Sequence, residues 1–234
     1  MRAIVTGGSR GIGFAIAKAI VGAGGKVMIT GLDAGRLGQA VKKLGQTGDT
    51  ARADGAAVDV RDRAAVRKLV DETVRKFGGL DLLVNNAGVG AFADVASMTD
   101  EDWARVIDTN LTGVFFCTRA AIPALKKSGG GWIINIASLA GRNYFPGGAA
   151  YCASKAGLIA FSESVMQEVR YDNIRVSVVM PGSVATEFSG PSGSGEDSWK
   201  LSPEDVAEAV MDLVRHPGRS LPSKVEIRPS KPRK

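Results

Sequence analysis

The sequence predicts an α/β protein, a doubly wound parallel sheet of about seven strands with helices on both faces. Three observations predict it. Short β-branched, apolar runs alternate with amphipathic stretches along the whole chain. Each run is followed by a turn residue, as in strands covered on both faces. The first run also opens directly into a glycine-rich turn and a helical pattern.

The strand candidates lie at 3–5, 27–30, 56–59, 80–85, 132–137, 175–180 and 224–228. A helix over 14–21 follows the first of them. Residues 62–77 carry Val66, Leu69, Val70, Thr73, Val74 and Phe77 at helical spacing, which places one apolar stripe on the sheet. The spacing over 100–127 predicts one long helix, started by Thr99 with Asp102 three residues on, and Pro123 should kink or break its last turn. A further helix spans about 150–170. The last helix opens with Ser202 as cap, Pro203 in first position and Asp205 at the third. Residues 189–198 read SGPSGSGEDS, polar and without periodicity. A plain surface loop fits that composition. Loops after the carboxyl ends of strands line the ligand crevice of such sheets, so 187–200 is read as a mobile substrate loop. With no repeat and no linker, 1–234 reads as one domain.

Composition narrows the chemistry. The chain of 234 residues has one His and two Cys. Two Cys make no disulfide framework, and with a single His they leave too few ligands for a zinc site, so no metal is expected. His216, ahead of Pro217 near the end, is poorly placed for a nucleophile–histidine pair. The net charge of +6 suits a solvated surface or a phosphate-bearing cofactor. The dense basic stretch is confined to the end, and 229–234 reads as a solvated tail, with no nucleic-acid partner. No apolar run approaches the ~18 residues of a membrane span, so no membrane partner is expected. A strand at 3–5 leaves no room for a signal peptide, and a reducing, cytoplasmic compartment with Cys117 and Cys152 as free thiols is the expectation.

The first strand runs into Thr6-Gly7-Gly8-Ser9-Arg10-Gly11-Ile12-Gly13 and then a helix. Glycines let a backbone approach a pyrophosphate closely, and the free N–H groups and dipole of a helix start face its charge. The spacing is G-x-x-x-G-x-G, and no Lys-Ser/Thr follows, which disfavours a triphosphate loop. This stretch resembles the cofactor loop of the short-chain dehydrogenase/reductase family. Further matches follow in order: Asn85-Asn86-Ala87-Gly88, Asn110, Ser138, Tyr151-Cys152-Ala153-Ser154-Lys155, and Pro181-Gly182-Ser183-Val184-Ala185-Thr186. The resemblance covers essentially the whole chain and implies a Rossmann-type fold and hydride transfer between a nicotinamide cofactor and a carbonyl or secondary alcohol.

Tyr151 and Lys155 share one face of a helix. The pair is common surface chemistry by itself; its meaning comes from the need for a proton at the developing alkoxide, which a phenol of pKa ~10 can supply. In the oxidation direction the phenol must act as a base. A Lys ammonium ~5 Å away at an effective dielectric of ~20 favours the phenolate by about 3 kcal/mol, so Lys155 is expected to lower the Tyr151 pKa. The resemblance implies that Lys155 also holds the nicotinamide ribose, that Ser138 bonds the substrate oxygen, and that Asn110 holds a water linking Lys155 to solvent. It assigns Gly7, Ser9, Arg10, Gly11, Ile12 and Gly13 to the pyrophosphate loop, and Asp59, at the end of the third strand, with Val60 to the adenine. It sets Asn86, Ala87 and Gly88 beside the adenosine ribose, and Pro181, Gly182, Val184 and Thr186 around the nicotinamide.

The ribose 2′ position is normally read just after the second strand, where a carboxylate selects NAD. Gly31 stands there, and Asp33 is read as part of the next turn. Arg10 lies inside the glycine loop and can hold a 2′-phosphate through two parallel bonds, with Arg36 as a partial second cation, so NADP(H) is expected over NAD(H). The runs 202–207 and 225–229 are similar to the NADP-dependent 3-hydroxy acid and serine dehydrogenases, which hints at small polar hydroxy or keto substrates. A 3-oxoacyl carrier-protein reductase fits less well: it calls for a basic docking surface near the pocket, for which Lys126 and Lys127 are candidates, but Asp172-Asn173 stands where further positive charge would help. The rival readings are a cofactor-binding sensor or scaffold without turnover, and an NAD-dependent alcohol dehydrogenase. Phe115-Phe116 and Ile159-Ala160-Phe161 widen the apolar surface of two helices beyond one face, which predicts a homo-oligomer, a tetramer first and a dimer second.

Overall fold

A computed structural model describes residues 1–46, 52–189 and 198–232. Its strands are β1 (Arg2–Val5), β2 (Lys26–Gly31), β3 (Ala53–Ala57), β4 (Leu82–Asn85), β5 (Gly131–Ile136), β6 (Ile174–Pro181) and β7 (Lys224–Ile227). They form one parallel sheet in the order β3-β2-β1-β4-β5-β6-β7. The helices are α1 (Gly11–Gly22), α2 (Ala34–Gln46), α3 (Arg63–Phe77), α4 (Asp100–Ile107), α5 (Gly113–Lys127), α6 (Ala149–Val169) and α7 (Pro203–Arg215). Strand order reverses between β1 and β4, the point at which such sheets open a ligand crevice beyond their carboxyl ends.

The period of two along each strand divides the core. Ala3, Val5, Val27, Ile29, Val84 and Ile134 face α1, α2 and α7. Ile4, Met28, Leu83, Ile133 and Val176 face α3, α5 and α6. With both faces buried, the strands read as unbroken apolar runs rather than as alternations.

The helix starts follow the local signals. Thr99 accepts from Asp102 N, Asp62 caps α3, and Ser202 and Asp205 close a capping box with Pro203 at the first position. Asp33 accepts from Arg36 N at 2.8 Å at the start of α2, so it does belong to the turn.

Three expectations need correction. The third strand is Ala53–Ala57 rather than 56–59, so Asp59 lies beyond its end. Its residues are poor strand formers, and pairing with β2 from Val27↔Ala53 to Gly31↔Ala57 overrides that preference. The fourth strand starts at Leu82 rather than at 80; Asp81 just before it bonds Arg2 and Trp132 through its backbone, and its carboxylate accepts from the backbone N and side chain of Arg2. The helix over 100–127 is not continuous. A π segment, Asp108–Thr112, separates α4 from α5, and the helix runs through Pro123 to Lys127. Pro123 and Arg119, whose carbonyl loses the proline's hydrogen bond, lie on the exposed side where solvent can satisfy it. Residues 190–197 of the expected substrate loop and 233–234 of the basic tail lie outside the described residues. The base of that loop is tied by a bridge between Val184 and Leu201.

Candidate active site

β1 ends in the glycine loop. Gly7 and Gly11 adopt left-handed φ values of 63° and 53°, which only glycine adopts without strain. A Cβ on Gly13 would sit 2.4 Å from the Gly7 carbonyl oxygen, so the helix start packs directly on the loop. The loop is braced from β4. Asn86 Nδ2 donates to the carbonyls of Thr6 and Gly7 at 3.0 and 3.1 Å, and Thr6 Oγ1 accepts from the N–H groups of Asn86 and Ala87. The N-cap residue of α1, Arg10, makes no side-chain cap bond, and no acid sits in the first turn of the helix. A helix start without such a cap, reached through glycines at 7, 8, 11 and 13, fits the pyrophosphate of a dinucleotide. Thr186, in the turn after β6, faces Gly11 across this opening, with its methyl 3.4 Å from where a Cβ would stand.

The chemistry-bearing side chains converge beside it from β5, α6 and the π segment. Lys155 is buried and donates Nζ to the Ile136 carbonyl at 2.9 Å, with its Nζ 5.8 Å from the Tyr151 ring centre. Ser138 leaves the end of β5 and accepts from Ala140 N at 3.1 Å. Asn110 is fully buried; its Oδ1 accepts from Val89 N at 2.8 Å, and its Nδ2 donates to Val89 O and Ser154 Oγ. Both amide hydrogens are thereby used, and only a lone pair on Oδ1 remains for a water. The π segment puts this side chain inward, where it ties the stretch after β4 to α6. A Cβ on Gly88 would lie 3.2 Å from Asn110 Oδ1 and 3.6 Å from Lys155 Nζ, which places both groups at one spot.

The electrostatics reverse one expectation. Burial pushes the Tyr151 phenol above its ordinary value of 10, and a hydrogen bond with the Ser138 hydroxyl opposes it. Burial pushes Lys155 down to about 8. A fixed lysine charge lowering the tyrosine omits the loss of water around both groups, and that loss disfavours each charged form.

The remaining expected cofactor residues divide. Asp59 is held by Arg61, whose Nη2 donates to its Oδ2 at 2.6 Å, and this pair keeps the carboxyl below its usual range. Val60 is buried against Gly113, at the junction of the π segment and α5. Gly182 N bonds Ile227 O at 2.8 Å, tying the turn after β6 to β7, and Pro181 ends β6 fully within the core. Ser9 lies against Gly31. Arg10 is exposed and paired with Glu187, Nη1 to Oε2 at 2.5 Å, so the cation expected to read a 2′-phosphate already has a partner across the opening.

Four functional positions carry no role in the sequence reading. Ser154 donates to Tyr151 O at 2.8 Å and accepts from Asn110, joining the two catalytic candidates. Phe92 and Phe188 flank Tyr151, each 5.7 Å from its ring, and Phe145 lies 6.1 Å from Phe92. The available signal was a phenylalanine in each of three loops after strand ends, outside any apolar periodicity. Below the site, Asn85 donates to Asn135 and Thr118, and Asn135 donates to Ser162, a buried chain linking β4, β5, α5 and α6.

Known proteins share this arrangement. A family model described as short chain dehydrogenase matches residues 1–197. An uncharacterized oxidoreductase of Staphylococcus saprophyticus is 35% identical over 227 residues, 97% of this chain and 96% of that protein. The 3-oxoacyl-[acyl-carrier-protein] reductase FabG of Chlamydia muridarum is 36% identical over 222 residues, 91% of this chain and 89% of that protein. The closed form of a serine dehydrogenase complexed with NADP+ superposes with a TM-score of 0.88 at 34% identity, covering 97% of this chain and 94% of that one. A glycine loop at the reversal of strand order, a Tyr–Lys pair on the helix after β5 and these matches along the chain together establish that it belongs to the short-chain dehydrogenase/reductase family of oxidoreductases.

Proposed function

We propose that the chain interconverts a carbonyl and a secondary alcohol with NADP(H), using Tyr151 as the acid and base. The observation that carries this reading is the convergence of Tyr151, Ser138 and Lys155 beside the open start of α1. A bound nicotinamide supplies the hydride in reduction and accepts it in oxidation. Ser138 Oγ donates to the substrate oxygen, and Tyr151 delivers the phenolic proton to that oxygen as the C–O bond becomes an alkoxide. Lys155 holds a positive charge beside the phenolate left behind, and Asn110 with Ser154 keeps the helix seated against the stretch after β4. The test is a panel of ketones, aldehydes and alcohols followed at 340 nm. Turnover of a member supports the reading. Tight NADPH binding with silence on every member favours a sensor.

The cofactor preference rests on Arg10 and on Gly31 standing where NAD enzymes need a carboxylate; the NADP+ complex of the similar serine dehydrogenase supports it. NADPH is expected to bind at least about tenfold tighter than NADH, from one charge-assisted contact of about 1.5–3 kcal/mol. Arg10→Ala removes most of that gap in a fluorescence titration. Equal affinities in the wild type mean that the reading of the 2′ site is wrong.

Assembly belongs to the same reading. Phe115 is exposed, and Leu111, Phe116, Ile159 and Phe161 are only partly covered. The chain is expected to form a homo-oligomer through α4, α5 and α6, a tetramer or at least a dimer. Light scattering at micromolar concentration decides it, and a single species at 24.4 kDa rules it out. A carrier-protein substrate gains little support from the basic pair on α5, because Lys126 is bound to Asp172 at 2.7 Å.

A further inference from the structure

Two phenylalanine rings, Phe92 and Phe188, lie against Tyr151, and a third, Phe145, lies against Phe92; each comes from a different loop at the carboxyl end of the sheet, Phe92 after β4, Phe145 after β5 and Phe188 after β6. They keep 54, 44 and 40% of their surface exposed. A folded chain ordinarily spreads exposed apolar side chains singly over its surface, and a cluster beside a polar group marks a ligand site.

The rings also have built seats. A Cβ on Gly90 would stand 2.9 Å from the Phe92 ring and 3.3 Å from the Phe188 ring, and a Cβ on Gly148 would stand 2.6 Å from the Phe145 ring. Any other residue at those two positions would push the rings off the backbone. Among the described residues, Arg142, three positions before Phe145, is paired with Glu226, and Glu187, next to Phe188, is paired with Arg10.

We propose that Phe92, Phe145 and Phe188 form the binding wall for the substituent of the substrate, and that the chain selects ketones carrying a flat, uncharged aromatic group over short oxo acids. The carbonyl oxygen lies toward Ser138 and Tyr151, and the aromatic group lies in the ring cluster, where offset and edge contacts favour it. A carboxylate in the same place meets apolar rings, and its desolvation against them goes uncompensated. This runs against the hint of a small polar substrate taken from the 202–207 and 225–229 runs. It rests on the reading of Tyr151 as the acid.

The test compares 4-phenyl-2-butanone with acetoacetate as substrates for the full chain with NADPH. The expected kcat/KM is at least about tenfold higher for the aromatic ketone, a difference of ~1.4 kcal/mol. Replacing Phe92 and Phe188 together by Ala should lower the ratio of the two kcat/KM values at least about tenfold. The ratio is the readout because loss of rings that touch Tyr151 can slow both substrates. Phe92→Leu, which keeps an apolar side chain of smaller size, serves if the double variant does not fold, and it should lower the same ratio. Saturation-transfer NMR with 4-phenyl-2-butanone reads binding without turnover. Equal or better use of acetoacetate, or an unmoved ratio, overturns the inference and leaves the proposed function standing. Saturable binding of the aromatic ketone that the variants abolish, with silence on the whole panel of ketones, aldehydes and alcohols, supports the wall and overturns the proposed function. Absence of both binding and turnover of the ketone overturns the inference.

Discussion

Tyr151→Phe is expected to lower kcat by about 100- to 10,000-fold, the usual worth of a positioned acid or base. The substitution removes one oxygen and keeps the ring, so the contacts with Phe92 and Phe188 survive. NADPH affinity, measured by fluorescence, should change by less than about threefold, an energy below ~0.7 kcal/mol. A variant that retains near-wild-type turnover removes Tyr151 from the mechanism. The pH profile carries the same argument further. Lys155 titrates at about 8, so it is charged below that pH and neutral above it. The phenol, pushed above its ordinary value, remains a proton donor through this range. Carbonyl reduction should therefore hold level at lower pH and fall as pH rises through about 8, as the charge beside the nascent phenolate is lost. In Lys155→Met that inflection disappears from whatever rate remains. A wild-type profile that stays level from pH 7 to about 9.5 contradicts this assignment.

Gly13→Val is expected to abolish measurable NADPH binding. Any Cβ at this position lies 2.4 Å from the Gly7 carbonyl oxygen and 2.5 Å from Asn86 Nδ2, and the first of these is backbone. The loop must move to admit the side chain. Movement of the loop displaces the N–H groups that face the pyrophosphate and breaks the brace from Asn86. Overpacking of this kind costs about 1–3 kcal/mol of stability, and Tm should fall by about 2–10 °C for a chain of this size. Gly38→Ala is the control. A Cβ there meets nothing within 4 Å, on the exposed side of α2. That variant should gain about 0.5–1 kcal/mol and bind NADPH as the wild type does. Comparable affinity in Gly13→Val and Gly38→Ala shows that the glycine loop does not hold the cofactor.

Several features of this protein are written in short stretches of its sequence. The central strands are legible because burial on both faces demands unbroken apolar runs, as at 3–5 and 132–137. Helix starts are legible at Thr99 and Ser202 because a cap needs only residues within one turn. The glycine loop and the Tyr151–Lys155 spacing are legible for the same reason: each motif is continuous, and a resemblance can be judged on it.

What the sequence left open depends on partners far away along the chain. The position of β3 was set by β2, not by the strand preference of Ala53–Ala57. The break in the helix after α4 arises around Asn110, whose side chain is satisfied by Val89 and Ser154, both distant in sequence. Arg10 looks free in its own loop, yet Glu187 meets it 177 positions later. The acidities of Tyr151 and Lys155 turn on how much water the folded chain removes, which spacing does not contain. The ring cluster needs three loops brought to one place by the ends of β4, β5 and β6. Local pattern determines periodicity, caps and motifs, because those interactions close within a few residues. Register, burial and the shape of the substrate site were decided by tertiary structure, because desolvation and long-range contacts exist only once the sheet has assembled its loops at one edge.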